Sequence, residues 1–347
     1  MVIRRPALVL VVATLQAGAP PLAAQSEPPS EPPADWGVTA IDYSNVPYPH
    51  PVSYLDVLAY GQSYRMAYMD VAPTGEANGR TVMLFHGMNF TGAAFAPTIE
   101  ALSSAGFRVI AIDRLGWGRS SKPLIHYRLG LWTSHAKALL DHLGIDRAAV
   151  LGHSMGGMVV TRFAFSYPET TTHVVMVNQI GLSDSRPRRP WSDPYESFEG
   201  SAGTSYRSVL GTHLRYYPNG WRPEYMDGVR VQYGLTLSGD WPHMSRVWAM
   251  LRQVISDDPV VYDWQHVGVK ALVIGGADDR LVADFPAAAR HVAEELQNAE
   301  LVLFAGIGHN PFVEIPDRFH AEVVRFLRSG PDEPADQRWR QTDLGRR

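Results

Sequence analysis

Residues 148–164 read Ala-Ala-Val-Leu-Gly-His-Ser-Met-Gly-Gly-Met-Val-Val-Thr-Arg-Phe-Ala, and no other stretch narrows the fold as much. A short apolar run suited to a buried strand leads straight into Gly-x-Ser-x-Gly. An apolar run suited to a buried helix follows. In a strand–turn–helix of this kind the serine sits in a strained turn, its hydroxyl clear of the backbone. A Cβ at Gly152 or Gly156 would collide where strand and helix approach each other. Gly157 extends that clearance by one position. The helix start also presents free N–H groups and a positive dipole end to whatever Ser154 meets. An ordinary glycine-rich turn fits the five-residue pattern equally well, so the partners elsewhere in the chain decide.

Around this stretch, apolar strands and helices alternate. Strands are expected at 54–60, 64–71, 81–85, 107–113, 173–178, 270–276 and 300–304, helices near 97–105, 127–143, 286–296 and 316–328. Strands alternating with helices give a mostly parallel sheet covered on both faces. The alternation fails between about 181 and 264, where Trp and Tyr crowd the sequence. That segment reads as a mostly helical insertion. The expected organisation is a first core part (51–180), a helical cap (181–264), a second core part (265–330) and a flexible tail (331–347).

The first residues read differently. Arg4-Arg5, an apolar stretch from Ala7 to Thr14 and the small residues of Pro21-Leu22-Ala23-Ala24 resemble a secretory signal peptide over 1–24, too short for a stable membrane span. The arginine pair lacks the usual neighbours of a twin-arginine signal, so general export to the periplasm or the medium is expected. There is no cysteine, hence neither a disulfide nor a lipoprotein-type lipid site. Residues 25–50, rich in Pro, Ser and Glu at their start, read as a disordered linker. The net charge of −4 and the lack of a basic stripe interleaved with aromatics argue against a nucleic-acid partner.

A serine hydroxyl is a weak nucleophile until a base takes its proton and an acid orients that base. Asp278-Asp279 follow the strand ending in Gly275-Gly276, and His309 follows the last strand. Both aspartates qualify, and Asp184 after the preceding strand is a third choice. All candidates lie at carboxyl ends of strands, where ligands gather in such sheets. No His-x-x-x-His or carboxylate cluster has metal-ligand spacing, so neither a metal nor another cofactor is expected.

The order Ser154, acid, His309 resembles that of the α/β-hydrolase superfamily. The resemblance runs from about Tyr54 to Leu327, through His86-Gly87, 113–121, 152–157, 276–282 and 306–312 with Glu314, Pro316 and Phe319. Its Gly-x-x-Asp register falls on Gly276-Ala277-Asp278-Asp279 and selects Asp279. It implies catalytic Ser154, Asp279 and His309, and an oxyanion hole from the backbone N–H groups of Met88 and Met155. Trp117, His86 and Asn89 are the candidate substrate-facing residues. His86 is expected to shape its loop rather than act as a second base, and His153 to pack behind the turn. Serine rather than aspartate at 154 separates the chain from haloalkane dehalogenases and aspartate-type epoxide hydrolases. The turn resembles those of capped esterases, lactonases and carbon–carbon bond hydrolases.

The expectation is a serine hydrolase that cleaves a small hydrophobic ester or lactone through an acyl-enzyme. A carbon–carbon bond hydrolase or a cofactor-free haloperoxidase or perhydrolase would use the same triad. A non-catalytic ligand receptor on the same scaffold would not need it. The lack of Gly-x-Gly-x-x-Gly after an early strand argues against a dehydrogenase.

Overall fold

Three of the expected strands are buried at every residue, which is what continuous apolar runs require of a sheet covered on both sides. In the computed structural model, which describes residues 27–188 and 191–341, eight strands form one sheet. They are β1 (Val52–Ala59), β2 (Gln62–Val71), β3 (Thr81–Phe85), β4 (Arg108–Asp113), β5 (Ala148–His153), β6 (Thr171–Val177), β7 (Lys270–Gly276) and β8 (Ala299–Phe304). Their spatial order is β1-β2-β4-β3-β5-β6-β7-β8. β1 and β2 form an antiparallel hairpin, β2 runs antiparallel to β4, and the remaining pairs are parallel. The signal peptide expected over 1–24 lies outside the described residues. Among the described residues, no helix is long and apolar enough to cross a membrane.

Alternation along the strands divides the core in two. Met83, Phe85 and Val150 face α2 (Leu129–His142), α3 (Met155–Ser166) and α8 (Phe285–Glu295). Val82, Leu84 and Leu151 face α1 (Ala96–Ser104) and the last long helix, Pro316–Arg328. Between β6 and β7 the chain leaves the sheet for α4 (Pro194–Ala202), α5 (Tyr206–Tyr216), α6 (Met226–Thr236) and α7 (Trp241–Asp257). Tyr206, Tyr217, Trp221 and Tyr225 form the centre of this insertion, with the Tyr217 and Tyr225 rings stacked at 3.6 Å. Met244, Val247, Trp248 and Leu251 of α7 belong instead to the main core, which seats the insertion over the carboxyl ends of the strands.

Two segments depart from expectation. Residues 27–50 are not a disordered linker in their described part. Tyr206 donates to the Pro29 carbonyl, Trp36 packs edge-on to Tyr206, and the Thr39 amide bonds to the Gly234 carbonyl. Further along, the Tyr48 hydroxyl donates to Asp113 Oδ2 at 2.6 Å. The segment is a strap across insertion and core, held by aromatic anchors spaced too irregularly to show a period. The tail also packs back as far as it is described. Ala335 and Trp339 are buried, and Trp339 Nε1 donates to the Ala299 carbonyl. One large apolar ring offsets the polar composition around it.

Candidate active site

Ser154 occupies the turn between β5 and α3 with φ 56° and ψ −119°, a conformation costly for a residue with a side chain. The surrounding backbone enforces it. A Cβ on Gly152 would lie 2.1 Å from the Gly156 carbonyl oxygen, and one on Gly156 would lie 2.0 Å from that of Phe85. The Ser154 amide donates to Val177 O, which ties the turn to the neighbouring strand.

His309 follows β8, and its Nδ1 lies 2.7 Å from Asp279 Oδ2, with both side chains essentially inaccessible. Asp279 also accepts from Asn178 Nδ2 and the Leu281 amide. Burial alone would raise its pKa, but the nearby His309 and these donors hold it below the ordinary carboxylate value. The neighbouring Asp278 is exposed and bonds instead to Asn219 and the Gly306 amide. Asp184 pairs with Arg186 and Tyr262. Of the three candidate acids, His309 therefore meets Asp279.

The outer nitrogen of His309, Nε2, is buried and has no hydrogen-bond partner, so the bond to Ser154 is not closed in this structure. Such bonds commonly tighten only when substrate is bound. Tyr216 of α5 covers the base: its ring stacks on His309 at 5.1 Å and 22°, and its carbonyl accepts from the His309 amide. On the other side, the Glu314 carboxylate accepts from the Gly308 and Asn310 amides and so grips the loop on both sides of His309.

The loop after β3 faces Ser154. A Cβ on Gly87 would come within 3.1 Å of Ser154 Cβ. Its carbonyls are tied away from the serine: His86 O accepts from Arg114 Nη2 at 2.7 Å, Gly87 O from His86 Nδ1 at 2.8 Å, and Met88 O from Trp117 Nε1. In a trans peptide the N–H opposes the C=O, so fixing Gly87 O aims the Met88 N–H the other way. Among the described residues, the Met88 and Met155 amides donate no hydrogen bond. Met155 opens α3 and has no acceptor one turn back. Two unused donors thus flank the serine turn.

A cavity of about 370 Å³ adjoins this loop, lined mostly by apolar side chains of the strap, the loop and the insertion. Met88, Asn89 and Trp117 line it. His86 does not: it is buried behind the loop, bonded to Gly87 O and against Trp117, a correction to its placement among substrate-facing residues. Ser154 and His309 are 4% and 0% exposed and do not line the cavity either. Asn89 Nδ2 donates to the Tyr216 hydroxyl at 2.7 Å. No motif in the sequence singles out Asn178 or Tyr216. The break from an apolar strand to Asn178-Gln179 was the signal for the first; a tyrosine among many tyrosines gave none for the second.

The α/β hydrolase fold family model matches residues 80–208, and the chain belongs to that family. A proposed hydrolytic enzyme from Pseudomonas aeruginosa PAO1 is 33% identical; the match covers 85% of this chain and 99% of that one, with a TM-score of 0.82. The 2-hydroxy-6-oxononadienedioate/2-hydroxy-6-oxononatrienedioate hydrolase of Paraburkholderia phymatum is 29% identical over 283 residues, 79% of this chain and 94% of that one. A protein of Caulobacter sp. (strain K31), proposed to be a carbamate hydrolase, is 28% identical over 261 residues, 75% and 95% of the two chains. This chain is a hydrolase.

Proposed function

We propose that the chain is an exported serine hydrolase that cleaves a carboxylic ester or lactone bearing an apolar group. The observation that carries the reading is the buried Asp279–His309 pair, with Nε2 left unpartnered and the His309 ring 4.7 Å from that of His153, the residue before Ser154. In the proposed cycle Ser154 Oγ attacks the carbonyl carbon while its proton passes to His309 Nε2. The carbonyl oxygen takes the electron pair and is held by the Met88 and Met155 amides. His309 then protonates the leaving oxygen, the C–O bond breaks, and an acyl-enzyme remains. Water, deprotonated by His309, clears it. Asp279 keeps the Nδ1 proton in place and stabilises the imidazolium.

The cavity supports a neutral substrate. Its ionisable lining is Glu224, Asp227 and Arg230, and Arg230 already faces Asp227 at 3.9 Å. A dicarboxylate would meet two carboxylates there and a single arginine that sits beside one of them. The second reading, hydrolysis of a carbon–carbon bond in a dienone, draws on the relative from Paraburkholderia phymatum. Purified protein assayed on p-nitrophenyl esters of graded length beside a ring-cleavage dienone separates the two. Under the proposed reading the esters turn over, the dienone does not, and Ser154→Ala abolishes turnover in a folded protein. Export rests on the character of residues 1–24. N-terminal sequencing of periplasmic protein should begin at Gln25, and recovery of Met1 would reject it.

A further inference from the structure

One buried cation has no part in the cycle above. Arg114 directly follows β4 and is 1% exposed. Its guanidinium lies 4.4 Å from the Trp117 ring centre and 4.9 Å from that of Trp132. Nη2 donates to His86 O at 2.7 Å and lies 3.5 Å from Gly87 O, while Nε and Nη1 are buried without partners. The adjacent Asp113 does not pair with it; that carboxylate accepts from Tyr48, the Gly92 amide and the Arg119 amide. A buried charge with unmet donors is costly, and its position calls for an account.

We propose that Arg114 is a positioning residue for the oxyanion site: it fixes the 86–88 backbone and polarises the Met88 amide. The inference rests on the reading that Met88 serves as an oxyanion donor. Gly87 O can only accept, and His86 Nδ1 lies 2.8 Å from it, so the imidazole proton is assigned to Nδ1 and Nε2 accepts from the Arg114 amide at 3.3 Å. Arg114 Nη2 lies 3.3 Å from that Nδ1 and gives its hydrogens to the two carbonyls. Burial and the Arg114 charge keep that ring neutral. Nδ1–H therefore donates to Gly87 O, joined on that oxygen by the Phe90 amide and, at longer range, by Arg114. Donors on a carbonyl oxygen draw electron density through the amide and make its N–H more positive. The Met88 N–H, on the opposite side of the same peptide, becomes the stronger donor. The tryptophans hold the cation where its field reaches that peptide with little screening by water.

The test compares wild type, Arg114→Lys and Arg114→Met, each checked for folding by thermal denaturation. The readouts are kcat and KM on p-nitrophenyl butyrate, inhibition by an aryl trifluoromethyl ketone, and the rate of fluorophosphonate labelling of Ser154. The ketone forms an adduct that carries the oxyanion. Arg114→Met should lower kcat about 10–100-fold, somewhat less than loss of a whole oxyanion donor, with KM little changed. Ketone affinity and labelling rate should fall by the same factor, and Arg114→Lys should recover part of each. If Arg114→Met does not fold, Arg114→Lys carries the test, with a smaller but still parallel fall. A folded variant with wild-type kcat, or with its loss confined to KM, would overturn the proposal. So would a fall in kcat with ketone affinity unchanged. Labelling that fails already in wild type points instead to failure of the serine hydrolase reading.

Discussion

Asp279→Asn isolates what the carboxylate does for His309, because the amide keeps the shape and loses the charge. The 2.7 Å bond to Nδ1 would then be made from either side, and the ring would no longer be held in one tautomer. Turnover should fall about 10³–10⁴-fold with the fold intact, measured by steady-state kinetics beside circular dichroism. A loss below tenfold would mean that the aspartate is not the orienting acid. At this scale the sequence was most informative where chemistry and backbone geometry coincide. Ser154 was legible because two glycines must flank it, and His309 because it lies in the loop after the last strand. His86 was misplaced because its neighbours in sequence line the cavity while its ring turns inward to Gly87 O. Asn178, which braces Asp279, lay outside every motif.

The loop that carries His309 is held by a carboxyl with unusual properties. Burial raises the pKa of Glu314 and the Gly308 and Asn310 amides lower it, for a net value of about 7 against an ordinary 4.5. Between those two values the folded chain binds more protons than the unfolded chain. Stability is therefore lost as pH rises from 4.5 to 7, and this group adds no further slope above that. Glu314→Gln should flatten that part of the profile, read as urea midpoints at pH 5 and pH 8. An identical slope in both proteins would reject the assignment. The strap is the other element with a consequence of its own. Tyr43 has φ 56°, and its ring walls the cavity; bonds between Asn45 and the backbone of Ala40 and Val38 brace the turn. Tyr43→Ala should raise kcat/KM for an octanoate ester over an acetate ester about tenfold, the scale of one or two methylenes in an apolar pocket. An unchanged ratio would remove Tyr43 from the specificity determinants.

Over the whole molecule, the insertion returns to the sheet at a charged junction. Arg162 of α3 bonds Asp258 at 2.9 Å and Asp263 at 2.6 Å, and Asp258 also caps the start of α2 through the Leu129 amide. Burial lowers the arginine's pKa, but the two aspartates outweigh it and leave it raised. Arg162→Ala strands two partly buried carboxylates. It should cost about 3 kcal/mol in chemical denaturation while KM stays near wild type; a cost under 0.5 kcal/mol would show that the junction carries no weight. The parallel part of the sheet was legible because buried parallel strands advertise themselves as apolar runs. The strap was not, since its anchors take hold one at a time on partners as distant as Tyr206.

That strap has a bearing on how the chain assembles. It precedes every other described segment, yet its seats belong to residues near 113, 206 and 234. Its contacts are complete only once the inserted helices and the sheet have met, so the first described residues made are among the last to gain their full set of partners. A bulky fusion ahead of residue 27 would thus act on the final stage of maturation and leave the formation of the sheet alone.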